Sequence, residues 1–246
     1  FSIVACDLEA PAWGVAVASK FLAVGAMVPW VRAGAGAVAT QSFANTSYGP
    51  RGLEWMAQGL PADETLRRLT LDDPDAGLRQ VGVVDAQGRA ATYTGEGCFD
   101  WAGGLTGPGF AIQGNILAGP HVVQAMAEAF TGTSGALGWR LYSALLAGDR
   151  AGGDRRGRQS AALYVASPGG GYGGFNDRWL DYRVDDHVDP VARLGELLRL
   201  HELYFGHSAE AEQVLLQGET LVRLQALTTK LGYYQGALHG ELDAAT

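Results

Sequence analysis

The sequence predicts an α+β fold in which two stacked β-sheets carry pairs of helices on their outer sides. Three observations predict it. Strand-like runs and helix-like runs come in groups, strands then paired helices then strands again, rather than alternating singly as in a doubly wound parallel sheet. The opening run from Phe1 to Asp7 and the run Gly14-Val-Ala-Val-Ala-Ser-Lys20 read as a hairpin across Leu8 to Ala12. The second of these runs is small and uncharged through Ala18, so the strand must be covered on both faces.

Taken in order, Ala37 to Ser42 is a further strand, and Asn45 to Pro50 is a turn. Pro50 suits the first turn of a helix ending near Gln58, with Gly59 as its stop. Pro61 opens a second helix whose Asp63 and Glu64 lie at the positive end of the helix dipole. Gln80 to Asp85 and Arg89 to Tyr93 form a hairpin, Cys98 to Gly104 is irregular, and Phe110 to Gln113 is a short strand. Pro120 begins a helix with Val122, Val123, Met126 and Phe130 at helical spacing, and Leu137 to Leu146 is its partner. Gln159 to Ala166 and Trp179 to Val184 are strands joined by the glycine-rich tip Pro168 to Gly174. That tip lacks the Gly-Lys-Ser/Thr of a phosphate loop. A helix runs from Pro190 to about Tyr204, and the composition shifts after Gly206. The expected division is a domain over 1–206, followed by a helical linker and a turn-rich tail over 207–246, with Ser208 to Lys230 helical.

A net charge of -8 speaks against a general nucleic-acid binder, and no apolar run is long enough to span a bilayer. The chain starts at Phe1 inside a strand pattern, without an initiator Met, which leaves processing ahead of it open. Cys6 and Cys98 read as two buried thiols, with a single tertiary disulfide as the alternative. The expected location is the cytoplasm, with envelope association as the alternative. No cofactor and no metal site is expected. Asp185, Asp186, His187 and Asp189 are too close in sequence to share one face of a strand, and Asp189 better suits a helix cap before Pro190.

The residues that could carry chemistry fall in four stretches. Ser19 and Lys20 end the second strand, where a lysine, one of two against sixteen arginines, could tune a nearby amine. They could equally just end a buried strand. Thr40, Gln41 and Asn45 cluster hydroxyl and amide groups at a strand end, where they could orient a carbonyl. Asn115, after Gln113-Gly114, could offer an oxyanion site. Asp154, Arg155 and Arg158 lie in a glycine-rich loop whose guanidinium groups suit a carboxylate.

Several segments together resemble one family. They are Phe1-Ser-Ile-Val-Ala, Gly14-Val-Ala-Val-Ala-Ser-Lys-Phe-Leu-Ala-Val-Gly-Ala, Gly36-Ala-Val-Ala-Thr-Gln-Ser, Tyr48-Gly-Pro-Arg-Gly-Leu, Gln80-Val-Gly-Val-Val-Asp, Gln113-Gly-Asn-Ile-Leu-Ala-Gly, Gly152 to Leu163, and Arg183-Val-Asp-Asp-His. This set resembles the DUF1028 family, placed in the Ntn-hydrolase superfamily, over Phe1 to about His201. The resemblance implies a four-layer α-β-β-α sandwich and an amide hydrolase but no substrate; with the strand-end polar groups and the arginine loop, the expected substrate is a small amide or peptide-like, anionic one. It also implies a Thr immediately before Phe1 as nucleophile, its own amine serving as base. The family's superfold suggests a homodimer. The tail, Leu231 to Gly236 with His239 to Thr246, is similar to the start of a peptidoglycan-binding module. That gives the rival reading, a non-catalytic protein recognising peptidoglycan fragments.

Overall fold

The computed structural model describes residues 1–206 and 214–242. Among them are two antiparallel sheets and six α-helices. The first compact unit is Phe1–His201, and the second begins at Glu202.

The first sheet contains β1 (Ser2–Asp7), β2 (Ala12–Ser19), β7 (Gly103–Gly107), β8 (Phe110–Gly114), β9 (Ser160–Ala166) and β10 (Arg178–Val184), in the order β10-β9-β2-β1-β8-β7. The second contains β3 (Pro29–Arg32), β4 (Gly36–Ser42), β5 (Arg79–Asp85) and β6 (Ala90–Thr94), in that order. The N-terminal hairpin therefore lies at the centre of the larger sheet, flanked by β8 and β9. A strand buried on both faces cannot alternate polar with apolar, which is why β2 reads as an unbroken small apolar run.

Three apolar clusters hold the unit together. The first joins the larger sheet to α3 (His121–Gly132), α4 (Leu137–Arg150) and α5 (Pro190–Phe205). Leu137, Leu141 and Leu145 recur every fourth residue on α4, giving it one apolar stripe. That stripe packs closely on β2, since a Cβ at Gly14 would lie 2.6 Å from Leu141 Cδ1. The second cluster, between the sheets, consists of valines, alanines, Cys6 and Trp13. The third joins the smaller sheet to α1 (Tyr48–Ala57) and α2 (Ala62–Leu71) through Val38, Val81, Val83, Met56 and Leu69.

Some expectations need correction. β3 and β7 were not expected, and Gly103–Gly107 pairs with β8 where an irregular stretch was foreseen. Both are edge strands with little β-favouring sequence, and their neighbours supply the pairing. α1 begins at Tyr48, two residues ahead of Pro50, since proline is tolerated within the first turn. In the second unit α6 covers Gly218–Lys230, and Gln217 before it is extended. Of the helix expected over Ser208 to Lys230, 214–217 are not helical and Gly218–Lys230 is; residues 207–213 and 243–246 of the linker and tail lie outside the described residues. Gly218 N donates to Gly240 O at 2.8 Å, and Gln225 Nε2 donates to Glu241 O at 3.1 Å, folding the tail onto α6.

Cys6 and Cys98 are both free and buried. Burial, aided by Asp85 and Asp7, pushes the Cys6 thiol up to about 11. Among the described residues no helix is long and apolar enough to cross a membrane.

Candidate functional site

Strand alternation puts one face of each central strand into the space between the sheets. On that face β1 presents Cys6, Val4, then Ser2, and β2 presents Trp13, Val15, Val17, then Ser19. β4 presents Ala37, Ala39, then Gln41, and β8 presents Ala111, then Gln113. β5 presents Val84, Gly82, then Gln80. Five strands thus change from apolar to polar at the same end.

The buried groups at that end bond to one another. Gln113 Nε2 donates to Ser2 Oγ at 2.6 Å, and Ser2 Oγ donates to Gln41 Oε1 at 2.7 Å. Gln41 Nε2 donates to Gln80 Oε1 at 2.8 Å, and Asn115 Nδ2 donates to the same oxygen at 3.0 Å. Gln80 Nε2 donates to Gly114 O at 2.8 Å and Thr94 Oγ1 at 2.9 Å. The network ties the sheets together with directional bonds where the valine layer stops. Gly82 makes room for it, since a Cβ there would lie 2.0 Å from Gln113 Oε1.

Beyond the network two cavities open. The wider, ≈ 530 Å³, has Gln41, Ser42, Arg79, Asn115, Asp154 and Arg156 among its polar lining. Phe21, Met27, Phe43 and Phe99 add an apolar wall. The narrower, ≈ 400 Å³, is lined by Asp149, Arg150, Arg158, Ser160 and their neighbours. Phe1, Ser19 and Asp154 line both, so the head of β1 forms the partition.

Asp154 is the buried charge of this partition. Its carboxylate accepts from Arg156 Nη2 at 2.7 Å and Nε at 2.9 Å, from Arg156 N at 3.0 Å, and from Lys20 N at 3.1 Å. Burial pushes its pKa up, but these bonds together hold it below the ordinary carboxylate value. The Phe1 α-amine nearby donates to Ala18 O at 3.1 Å. Burial lowers that amine from 8.0 to about 6, against the pull of Asp154 and with a smaller push from Arg156.

Among the described residues, three that are not glycine have left-handed backbone: Ala23 at φ 51°, Ser42 at φ 68° and Ile116 at φ 55°. For a β-branched residue such as Ile116 this is a true outlier. Ser42 and Ile116 line the wider cavity, and Ala23 adjoins its Val24. Such strain collects where a fold is shaped around a ligand.

The residues expected from sequence divide accordingly. Ser19, Gln41, Asn115 and Asp154 meet at the cavities, and Arg158 lines the narrower one, paired to Asp149 at 2.7 Å. Lys20 lines neither cavity; its side chain is exposed, and Nζ donates to Arg158 O at 3.3 Å. Thr40 points to the opposite face of β4 from Gln41, and its hydroxyl donates to Asn45 O at 3.2 Å. Asn45 is engaged with Asp73 at 2.9 Å and also stays off both linings. Arg155, expected to hold a carboxylate, lines neither cavity, and its neighbour Arg156 lines the wider one instead. Loop conformation, not spacing, decides which of two adjacent arginines turns inward.

Sequence reasoning missed Ser2, Gln80, Arg79 and Arg156. The signal available for the first two was a polar residue ending the inward face of an otherwise apolar strand. Arg79 bonds Asp73 at 3.0 Å and donates to Phe43 O at 2.7 Å. With Asn45, Tyr48 and the Asp75 amide, it holds the Asp73 carboxyl well below the usual range despite burial. Among the described residues, no group of three His, Cys, Asp or Glu is placed to hold a metal ion.

A comparison with curated proteins finds no match. The crystal structure of protein SPO2555 from Silicibacter pomeroyi, itself assigned to DUF1028, is similar to this chain at 30% identity. The similarity covers 82% of this chain and 88% of that one, with a TM-score of 0.75. The model of the DUF1028 family, a family of unknown function, matches residues 1–194. The compact unit that carries the glutamine network and both cavities makes the chain a member of the DUF1028 family.

Proposed function

We propose that this protein is an N-terminal-nucleophile amidohydrolase, its sheets and flanking helices forming the four-layer α-β-β-α sandwich of that class. The observation that carries the reading is the register of β1 at the partition. Phe1 N donates to Ala18 O at 3.1 Å, and Ala18 N donates to Phe1 O at 3.1 Å. A residue joined to the Phe1 nitrogen would stand opposite Ser19, on the same face as Ser2. That face borders the wider cavity.

A Thr there, as the resemblance implies, brings a hydroxyl and an amine to the junction of the cavities. The hydroxyl attacks the amide carbonyl and its proton passes to the amine, which gives it to the leaving amine; water then hydrolyses the ester. The lowered Phe1 amine supports the base role, since the same buried surroundings favour a neutral amine near pH 7. Asn115 and Ser42 are the polar groups on hand for the developing oxyanion. Arg158 and Arg150 in the narrower cavity suit an anionic end of the substrate. Lys20 acts at one remove, its N–H holding Asp154 and its ammonium holding the Arg158 carbonyl.

The test is N-terminal sequencing of protein purified from its own host, followed by turnover of small amides. A mature chain starting at a Thr before Phe1, with turnover lost on changing that Thr to Ala, is expected. A start at a residue without a side-chain nucleophile overturns the mechanism.

A further inference from the structure

We infer that the wider cavity binds a ring-bearing or branched apolar arm of the ligand, so that the substrate class is an amide joining an apolar acyl group to a small acid. The inference rests on the amidohydrolase reading for the word substrate, but the binding site stands on its own observations.

Phe21, Phe43 and Phe99 are each half exposed or more, at 50%, 53% and 57%, and all three line this one cavity. Single exposed apolar residues need no explanation, but three aromatic rings gathered around one concavity do. The rings of Phe43 and Phe99 lie 6.3 Å apart and tilted, as a pair that could flank a third flat group. None of the three sits on an untethered backbone. Phe43 O accepts from Arg79 Nη1 at 2.7 Å, and Phe43 N donates to Leu78 O at 3.3 Å. Phe99 O accepts from Ile116 N at 2.9 Å, and Phe21 O accepts from Ser160 Oγ. The backbone carrying each ring is thus fixed ahead of any occupant, which lowers the entropy lost on binding.

The cavity floor is polar, and two of its residues are strained into left-handed backbone. An apolar wall over a few fixed polar groups, at ≈ 530 Å³, is the form of a small-molecule site. The narrower cavity has no such wall; it carries Arg150 and Arg158 beside Asp149 and Asp154, with Arg158 paired to Asp149 at 2.7 Å and Arg150 as its further cation. The two compartments, meeting at Phe1, Ser19 and Asp154, therefore ask for a ligand with one apolar end and one acidic end.

The experiment is calorimetric titration with N-(3-phenylpropanoyl)glycine and with N-acetylglycine, alongside a sedimentation measurement. The phenylpropanoyl compound is expected to bind at least about tenfold more tightly, the gain from burying one ring. Phe99→Ala and Phe43→Ala should each remove about threefold to tenfold of that preference, and Phe99→Leu should restore most of it. Both positions are exposed, so folding is expected to survive. Equal binding of the two compounds, or an unchanged preference in both alanine variants, overturns the proposal. So does a change in sedimentation with no change in affinity, since the rings would then be covered by a second copy of the chain. Tight binding without hydrolysis would refute the enzyme reading and leave this site standing; hydrolysis of N-acetylglycine with no preference for the ring would do the reverse.

Discussion

The two ends of the space between the sheets are built by opposite means. At the Trp13 end, valines and alanines pack chiefly by area, and Trp13 Nε1, donating to Asp85 O at 3.2 Å, adds a directional bond across the sheets. At the Ser2 end, Gln41, Gln80 and Gln113 are buried and bonded to one another across the sheets. Apolar packing tolerates small slips and repacking; a closed amide network does not. The difference teaches where the molecule needs accuracy, and that end is the one that opens into the cavities.

The sharpest way to break the comparison is Gln80→Leu. It removes the acceptor shared by Gln41 and Asn115 and the three bonds that Nε2 makes, to Gly114 O, Thr94 Oγ1 and Gly103 O. A loss of about 3–4 kcal/mol in denaturant unfolding is expected. Val84→Ala, on the same strand at the dry end, should cost less, about 2 kcal/mol. Equal costs would mean that the network is no more demanding than packing.

The next effect is one of pH, for the chain that begins at Phe1. Its amine is at about 6 in the folded protein against an ordinary value of 8.0, so the unfolded chain binds more protons between those values. Stability should therefore rise as pH goes from 6 to 8, by about 2–3 kcal/mol at most. Acetylating the Phe1 amine should remove that slope in a series of thermal melts; a slope that persists would place its source elsewhere.

Gly82→Ala drives a methyl group into Gln113 Oε1 and should cost about 1–3 kcal/mol. An alanine tolerated there would show that Gln113 can turn away without loss. The smallest effect concerns Ser42, whose φ of 68° costs a serine what it does not cost a glycine. Ser42→Gly should stabilise by about 1 kcal/mol, or a few degrees in Tm, while changing the cavity lining by one hydroxyl. No gain would mean that the surroundings, not the backbone, set that conformation.

Much of this fold is legible in the sequence because the signals are local. Pro50, Pro120 and Pro190 mark helix starts, and the small apolar run of β2 marks a strand covered on both sides. β3 and β7 escape because edge strands take their structure from a neighbour that sequence reading does not see. At the site, Ser19, Gln41, Asn115 and Asp154 stand out as polar groups ending apolar runs. Thr40 carries the same signal, yet alternation sends it to the helix side. Gln80 and Ser2 matter only through partners far along the chain, Gln41 and Gln113 among them, and no local pattern reports that pairing. Arg156 differs from Arg155 by a loop turn that residue types do not encode.

The central position of the N-terminal hairpin has a consequence for how the protein is made. β1 and β2 are made ahead of their sheet partners, β8 and β9, which are among the later strands of the chain. At synthesis rates of ~5–20 residues per second the hairpin waits roughly 5–20 s with both edges unpaired, until β8 is made. During that interval the strand bearing the prospective reaction centre is an open template for other chains. The partition between the cavities is begun with β1 and closed only once β9 has been made, so a nascent chain that stalls before β9 should be prone to aggregate.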